Sequence, residues 1–235
     1  MAAAVPAVWE PWPMPETRRA FAEELDRLHH DVVRLGALAL EAIHRTSDAL
    51  LGFDLGAVED NIRADAELDH LSDSIEERIY VLFATQAPVA IDLRAMVTML
   101  RITHELERIG DYMVNIAKAI RRLPPEPLEP RIAGIIDHMR RQAAAQLEIA
   151  LEAFAERDPS KVAGLPAMDD EMDDLTKELF RAILRPEAVG EEALQAAVQL
   201  ALVGRYYERV ADHAVNVGER VDYMVTGTFH EHTTQ

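Results

Sequence analysis

The chain has 235 residues, of which 49% are hydrophobic and 6% aromatic, and its formal net charge at pH 7 is -18. A negative charge of this size repels nucleic acids and anionic lipids, so no direct binding to DNA or RNA is expected. The chain has no cysteine, which excludes disulfides and thiolate chemistry and favours a reducing compartment, so we expect a cytoplasmic protein.

Four prolines interrupt residues 1–15, which we expect to form a disordered tail. Apolar residues then recur every three or four positions from Phe21 to Leu50, and this spacing predicts a first long helix. The Gly52–Gly56 stretch predicts a break. A second helix is predicted from about Ala57 to Ala84, and a third is expected to follow Pro88 and to end near Arg122.

A second set of three helices is predicted after a proline-rich linker at residues 124–130. These helices cover residues 131–156, the segment from Asp158 to before Pro186, and residues 191–225. We therefore predict an all-α fold of six long helices, arranged as two tandem antiparallel three-helix bundles. The predicted units are the following ranges: repeat 1 at 16–123, repeat 2 at 131–226 and a C-terminal tail at 227–235.

One sequence pattern occurs twice in the chain. Glu107, Asp111 and Asn115 follow one another at intervals of four, and the same order recurs 101 residues later in the set Glu208, Asp212 and Asn216. Residues four apart lie above one another on a helix, so each copy places two carboxylates and an amide on one face. The repetition predicts a tandem duplication with two matching acidic sites, to which the asparagines are weaker candidates.

Two further acidic pairs also repeat between the halves. Asp65 and Asp69 interrupt an apolar stripe of the second predicted helix, and Asp169 and Asp173 do so in the fifth. Heptad spacing places Glu107 and Glu208 in core register with their apolar neighbours. We therefore expect four carboxylates to converge in each half, in one half Asp65, Asp69, Glu107 and Asp111, and in the other Asp169, Asp173, Glu208 and Asp212.

Clustered carboxylates need protonation, arginine partners or a bound cation to offset their repulsion. Ligands that are all oxygen favour Mg, Ca, Mn or Fe, whereas structural zinc sites normally use Cys or His. Ordinary surface ion pairs are the alternative, because Arg108 can reach Asp111 and Arg205 can reach Glu208 along their helices. The repetition of both acidic pairs leads us to predict metal binding at all eight positions.

The chain resembles the PhoU family, the accessory regulators of bacterial phosphate-specific transport. The resemblance rests on Gln86-Ala87-Pro88, on Asp92-Leu93-Arg94, on the segment HELERIGDYMVNIA that starts at His104, and on YERVADHAVNVGERV from Tyr207 to Val221. The second half lacks the Gln-x-Pro and Asp-Leu-Arg elements, and Tyr206 and Tyr207 precede its motif, so its site is expected to differ in shape or affinity.

The resemblance implies a cytoplasmic, non-enzymatic adaptor of two PhoU repeats that forms a homodimer. Such a protein would couple the ATPase of the phosphate ABC transporter to the phosphate-sensing histidine kinase and would negatively regulate the phosphate-starvation response. It would reach the membrane only through these partners. The resemblance also implies metal clusters at Glu107, Asp111, Glu208 and Asp212, with Asp65, Asp69, Asp169 and Asp173 facing them.

Two other classes of protein fit parts of the sequence. Glu67 and His70 have the Glu-x-x-His spacing of ferritin-like di-iron oxidases, although the second half has no copy of it. His104 begins a segment similar to the phosphoacceptor region of histidine kinases, which suggests a phosphotransfer protein, although no glycine-rich nucleotide-binding segment follows.

Overall fold

The structure, a computed structural model, describes residues 16–184 and 190–228. Six α-helices and one short 3-10 helix make up almost all of this part of the chain, which contains no strand. The α-helices are α1 Glu16–Gly52, α2 Leu55–Gln86, α3 Ala90–Ile120, α4 Pro130–Glu156, α5 Leu165–Ile183 and α6 Glu191–Thr226. The predicted all-α fold of six helices is thus confirmed. The expected tail at 1–15 and residues 229–235 lie outside the described residues.

Local chemistry sets the helix ends close to the predicted positions. The Asp54 carboxylate accepts hydrogen bonds from the backbone N–H groups of Gly56 and Ala57, at 2.9 and 3.1 Å, and so caps α2. Pro130 occupies the first turn of α4, where its missing N–H costs nothing, so α4 begins within the predicted linker.

The fifth predicted helix is split. Asp158 caps a 3-10 helix at Pro159–Gly164, and α5 begins only at Leu165. Pro166 has no N–H, so an α-helical bond from residue 166 to the carbonyl of Val162 cannot form. The Leu165 N–H bonds to the Val162 carbonyl instead, which is the tighter 3-10 pattern.

The two sets of three helices share one core. Within each set every helix packs on the other two, and in addition α3 lies along α6 and α1 lies against α4. Gly36 of α1 allows the second of these contacts, because a Cβ atom at this position would collide with the Leu151 side chain of α4. The buried apolar residues of both halves accordingly form a single connected cluster.

None of the described helices combines the length and the apolar character needed to cross a bilayer.

Candidate functional site

Carboxylates from α2 and α3 meet along the line where these two helices pack. Asp65 and Asp69 lie one turn apart on α2, and Glu107 and Asp111 lie one turn apart on α3. Gly110 allows the close approach, because a Cβ atom there would come within 3.1 Å of the Asp65 Oδ1 atom and 3.0 Å of the Leu68 Cδ1 atom. We call these four acids the first acidic site.

The electrostatics of the first acidic site show that its negative charge is poorly compensated. Burial raises the pKa of Asp65 to about 6, and the charges of Asp69, Asp111 and Glu107 add to this increase. The pKa of Asp69 and that of Glu107 are raised as well, in each case by burial first and then by Asp111. A bound cation would relieve this repulsion.

The second half repeats this arrangement between α5 and α6. Burial raises the pKa of Asp169 to about 6, and the nearby charges of Asp212 and Asp173 contribute, followed by those of Asp170 and Glu208. We call Asp169, Asp173, Glu208 and Asp212 the second acidic site. Asp65 and Asp169 are therefore equivalent positions in electrostatics as well as in sequence.

Each motif carboxylate on α3 and α6 already has a basic neighbour on its own helix. Arg108 donates to Asp111 at 2.7 Å, Arg209 donates to Asp212 at 3.2 Å, and Arg205 pairs with Glu208. His104 Nδ1 lies 3.6 Å from Glu107 Oε2. These arginine side chains are 40%, 46% and 47% exposed, so solvent screens the pairs and each contributes only about 0–1 kcal/mol. The alternative of ordinary ion pairs is thus present in the structure, but among residues 16–184 and 190–228 neither Asp65 nor Asp169 has an arginine or lysine within ion-pair distance.

The acids lie nearer the surface than the heptad pattern predicts. The fully buried stripe of α3 runs through Ile102, Leu106, Ile109, Met113 and Ile116. Glu107 follows Leu106 directly, so it lies on the flank of this stripe and is half-buried. Asp69 and Asp173 are exposed. The expectation that the motif glutamates occupy core positions is therefore wrong. The reason is that the heptad partners are themselves only half-buried flank residues, namely Leu100 and Val114 for Glu107 and Ala201 and Val215 for Glu208.

The donor chemistry of the two sites fits a hard cation, because every candidate ligand is a carboxylate oxygen. In the ranges 16–184 and 190–228, however, no three Asp, Glu or His side chains are placed to hold one ion together. An ion would require the motif acids to turn away from their arginine partners towards Asp65 or Asp169. Those ion pairs contribute little to stability, so breaking them requires little free energy.

A small polar cavity, which the sequence does not predict, adjoins the first acidic site. Its volume is about 90 Å³, and Arg45, Asn61 and Asp65 are among the residues that line it. The Arg45 Nε and Asn61 Nδ2 atoms are buried and have no hydrogen-bond partner in the described protein. Unpaired buried donors are costly, so this side of Asp65 offers room and polar groups for water or other oxygen atoms.

A further polar cluster between the halves was also missed in the sequence. Glu105 of α3 lies 2.6 Å from His213 Nδ1 and accepts a hydrogen bond from Asn216 Nδ2 at 3.2 Å, both on α6. Burial alone would raise the pKa of Glu105, but these two hydrogen bonds and the charges of His213 and Arg220 together outweigh it and lower the pKa. Asn216 therefore joins the two halves, while Asn115 is half-buried on α3.

The residues that suggested a di-iron oxidase or a phosphotransfer protein are exposed. Glu67 pairs with Arg34 at 2.9 Å on the surface, and its partner in the Glu-x-x-His spacing, His70, is exposed too. His104 is exposed beside Glu107.

Tyr207, which precedes the second motif, is completely buried towards α1, and Tyr206 stacks on Tyr112 with ring centroids 5.9 Å apart.

The raised pKa values predict how stability depends on pH. Asp65 and Asp169 bind protons more tightly in the folded than in the unfolded chain, so the folded state gains stability at low pH and loses it as pH rises through about 6. Because both groups are half-exposed, solvent screening weakens the effect, and we expect a total loss of about 1–2 kcal/mol. Urea unfolding in chelator between about pH 4.5 and about pH 7.5 measures this loss.

The variant Asp65→Asn/Asp169→Asn is the control for this pH dependence. It should be more stable than the natural chain near neutral pH, and the difference should vanish in acid. A pH profile identical to that of the natural chain would contradict the electrostatic account of the two sites.

Comparisons with known proteins indicate the PhoU family over nearly the whole chain. The family model described as "PhoU domain" matches residues 32–120 and 136–221. A phosphate-specific transport system accessory protein PhoU homolog 1 from Mycobacterium leprae is 37% identical over 218 residues, which cover 92% of this chain and 97% of that protein. A PhoU homolog 2 from Mycobacterium tuberculosis is 38% identical over 213 residues, covering 90% and 99% of the two chains.

Solved structures show the same architecture. The crystal structure of PhoU from Pseudomonas aeruginosa aligns with a TM-score of 0.82 at 26% identity and covers 88% of this chain and 100% of that one. The phosphate transport system regulatory protein PhoU from Streptococcus pneumoniae aligns with a TM-score of 0.80 at 27% identity, covering 90% and 99% of the two chains.

Proposed function

From the premise that this chain belongs to the PhoU family, we propose that it is an accessory protein of phosphate-specific transport that regulates phosphate uptake. The support is the family match in both halves together with relatives named for this role over nearly their full length. We further propose that it acts in the cytoplasm as a non-enzymatic adaptor. In this role it links the ATPase of the phosphate ABC transporter to the phosphate-sensing histidine kinase and restrains the starvation response.

Cation binding at the two acidic sites is the second element of the proposal. The observation that supports it most directly is the pair of equivalent aspartates, Asp65 and Asp169, whose pKa is raised to about 6 at matching places in the two halves. Each site contains four carboxylates from two helices, which would have to turn towards one another to share an ion. A bound Fe, Mg, Mn or Ca ion would supply positive charge between these helices.

The positions of the acids on their helices determine how neutralisation of their charge would affect the structure. Asp65 and Asp169 belong to α2 and α5, whereas the motif acids belong to α3 and α6. Relief of the repulsion between them tightens the packing of α2 on α3 and of α5 on α6. Because α3 also packs along α6, both sites act on one helical framework. We propose that this framework presents the surface that the transporter and the kinase recognise, as a homodimer.

Capture experiments test the adaptor role. The tagged full chain should retain both the transporter ATPase and the cytoplasmic part of the kinase from purified mixtures. Failure to retain either protein would overturn the proposed linkage. Light scattering of the full chain would show the mass of two chains if the homodimer is correct and of one chain if it is not.

The same capture experiment tests whether bound cations are needed for partner binding. Chelator, or the substitutions Asp65→Asn/Asp169→Asn, should reduce retention of the partners, whereas Asp60→Asn/Asp174→Asn should not. Asp60 and Asp174 are exposed acids on the same two helices, paired with Arg63 and Lys177. Full retention by both variants would leave the adaptor role intact and remove the cations from its mechanism.

A further inference from the structure

An apolar groove opens at the end of the molecule where α1 and α3 begin and α6 ends. Its volume is about 430 Å³, and its apolar walls include Ala22 and Leu25 of α1, Ile91 and Met99 of α3, and Val225 of α6. Ile91 is 66% exposed and Val225 is 42% exposed. Exposed apolar side chains that surround a concave surface indicate a place where another apolar segment binds.

The chain itself supplies a segment that matches this groove. Residues 1–15 contain ten apolar residues, four prolines and one charged residue, Glu10, and they hold both tryptophans of the protein, Trp9 and Trp12. This composition differs from that of typical disordered segments, which are poor in aromatic residues and rich in charge. The segment also lies outside the two ranges that match the family model.

The distances allow the segment to reach the groove. Residues 1–15 lead directly into α1 at Glu16, and Ala22 lies six residues further on, or about 9 Å along the helix. Trp12 lies four residues before Glu16, which corresponds to a reach of up to about 13 Å for extended chain. A chain that turns back at the start of α1 can therefore place Trp12 beside Ala22 and Leu25.

The prolines and charges also suit this arrangement. Proline restricts the backbone of an unfolded chain, so a segment that contains Pro11, Pro13 and Pro15 would lose less entropy when it docks. Arg157 lines the groove, and its pairing with Asp26 is long, at 3.9 Å, and exposed. Arg157 can therefore pair with Glu10, while the two aspartates of the groove lining, Asp26 and Asp92, limit the side chain of Glu10 to the Arg157 side. One tryptophan buries about 150–250 Å² when it is fully covered.

We propose that residues 1–15 fold back and occupy this groove in the same chain, with the Trp12 indole against Leu25 and Ile91. The segment then covers the apolar ends of α1, α3 and α6 and competes with any other molecule that binds there. This proposal replaces the expectation of a disordered tail.

Tryptophan fluorescence of the full chain tests the proposal, because all of the signal comes from Trp9 and Trp12. The emission should be blue-shifted, and its quenching by acrylamide should be weaker than that of a synthetic peptide of residues 1–15. In the variant Ile91→Lys/Val225→Lys, both properties should move towards those of the peptide. Emission of the natural chain equal to that of the peptide would overturn the proposal.

A matched variant separates the groove from general surface effects. Leu194→Lys/Leu202→Lys introduces the same two charges at apolar positions that are 63% and 38% exposed, away from the groove lining. Its emission should equal that of the natural chain, and circular dichroism should show the same helix content in both variants. A blue shift that persists in Ile91→Lys/Val225→Lys would show that the tryptophans are covered elsewhere. A shift that disappears on dilution would show docking on a second copy. Either result contradicts the proposal.

Disulfide trapping gives a second measurement that leaves most of the groove intact. Because the chain has no cysteine, the pair Val8→Cys/Val225→Cys can be oxidised without competing thiols. The control is the same cysteine pair with Ile91→Lys added, which leaves the reach of the segment unchanged but places a charge in the groove lining. Docking predicts that the pair closes within one chain at least about tenfold faster without Ile91→Lys than with it. Equal rates with and without this substitution would reject docking.

Discussion

Saturating Mn²⁺ should raise the free energy of unfolding of the chelator-treated protein by about 5 kcal/mol, and Asp65→Asn/Asp169→Asn should abolish most of this gain. An ion that binds only the folded state at about a hundred times its dissociation constant contributes about 2.7 kcal/mol per site, and there are two sites. Asp65 and Asp169 are the acids whose pKa the site raises most clearly, to about 6, so their charges are the ones a cation would relieve most.

The measurement is urea unfolding with and without Mn²⁺, combined with elemental analysis of the bound ion. The control variant Asp60→Asn/Asp174→Asn removes one charge from α2 and one from α5, as the test variant does, but from exposed positions. It should keep the full gain. If a chain of charge -18 merely attracted cations nonspecifically, both variants would respond alike, and that result would contradict metal binding at the two acidic sites.

Tyr207→Ala should lower the free energy of unfolding by about 3–5 kcal/mol, because it empties a large space in the core that the halves share. Tyr207 of α6 is completely buried, and its hydroxyl lies 2.6 Å from the Ser47 hydroxyl of α1. The Ser47 hydroxyl also donates to the Ile43 carbonyl at 2.6 Å, so the tyrosine must be the donor in their contact. Burial raises the pKa of Tyr207 to about 12, which keeps this donor protonated.

Smaller substitutions divide this effect into its parts. Tyr207→Phe should cost about 1 kcal/mol, the usual net value of one hydrogen bond, while Ser47→Ala should cost about 1–3 kcal/mol because it leaves a buried hydroxyl unpaired. A double-mutant cycle of these two changes isolates their interaction. Tyr206→Ala is the matched control, since Tyr206 is only half-buried. An equal loss for Tyr206→Ala and Tyr207→Ala would contradict the role of Tyr207 in joining the halves.

The sequence alone was enough to locate the helices, because the features that set their ends are local. Asp54 caps α2 through N–H groups two and three residues away, and Pro130 begins α4 through its own ring geometry. The duplicated acidic pairs could also be predicted from the sequence, since residues four apart share a helix face whatever surrounds the helix. The split at Pro166 was missed, although the missing N–H that causes it is also local.

Tertiary structure decided how deeply each helix face is buried and what covers it. Periodicity identifies an apolar stripe but does not say how many neighbours a helix has, and α3 packs on α1, α2 and α6 at once. Its orientation among them places Glu107 on the flank of the stripe and pairs Glu105 with His213 of the other half. The union of the two repeats through Tyr207 and Ser47 likewise depends on residues 160 positions apart. The sequence thus determined the helices and the grouping of charges along them, whereas only packing between distant segments determined the burial of those charges and the single core.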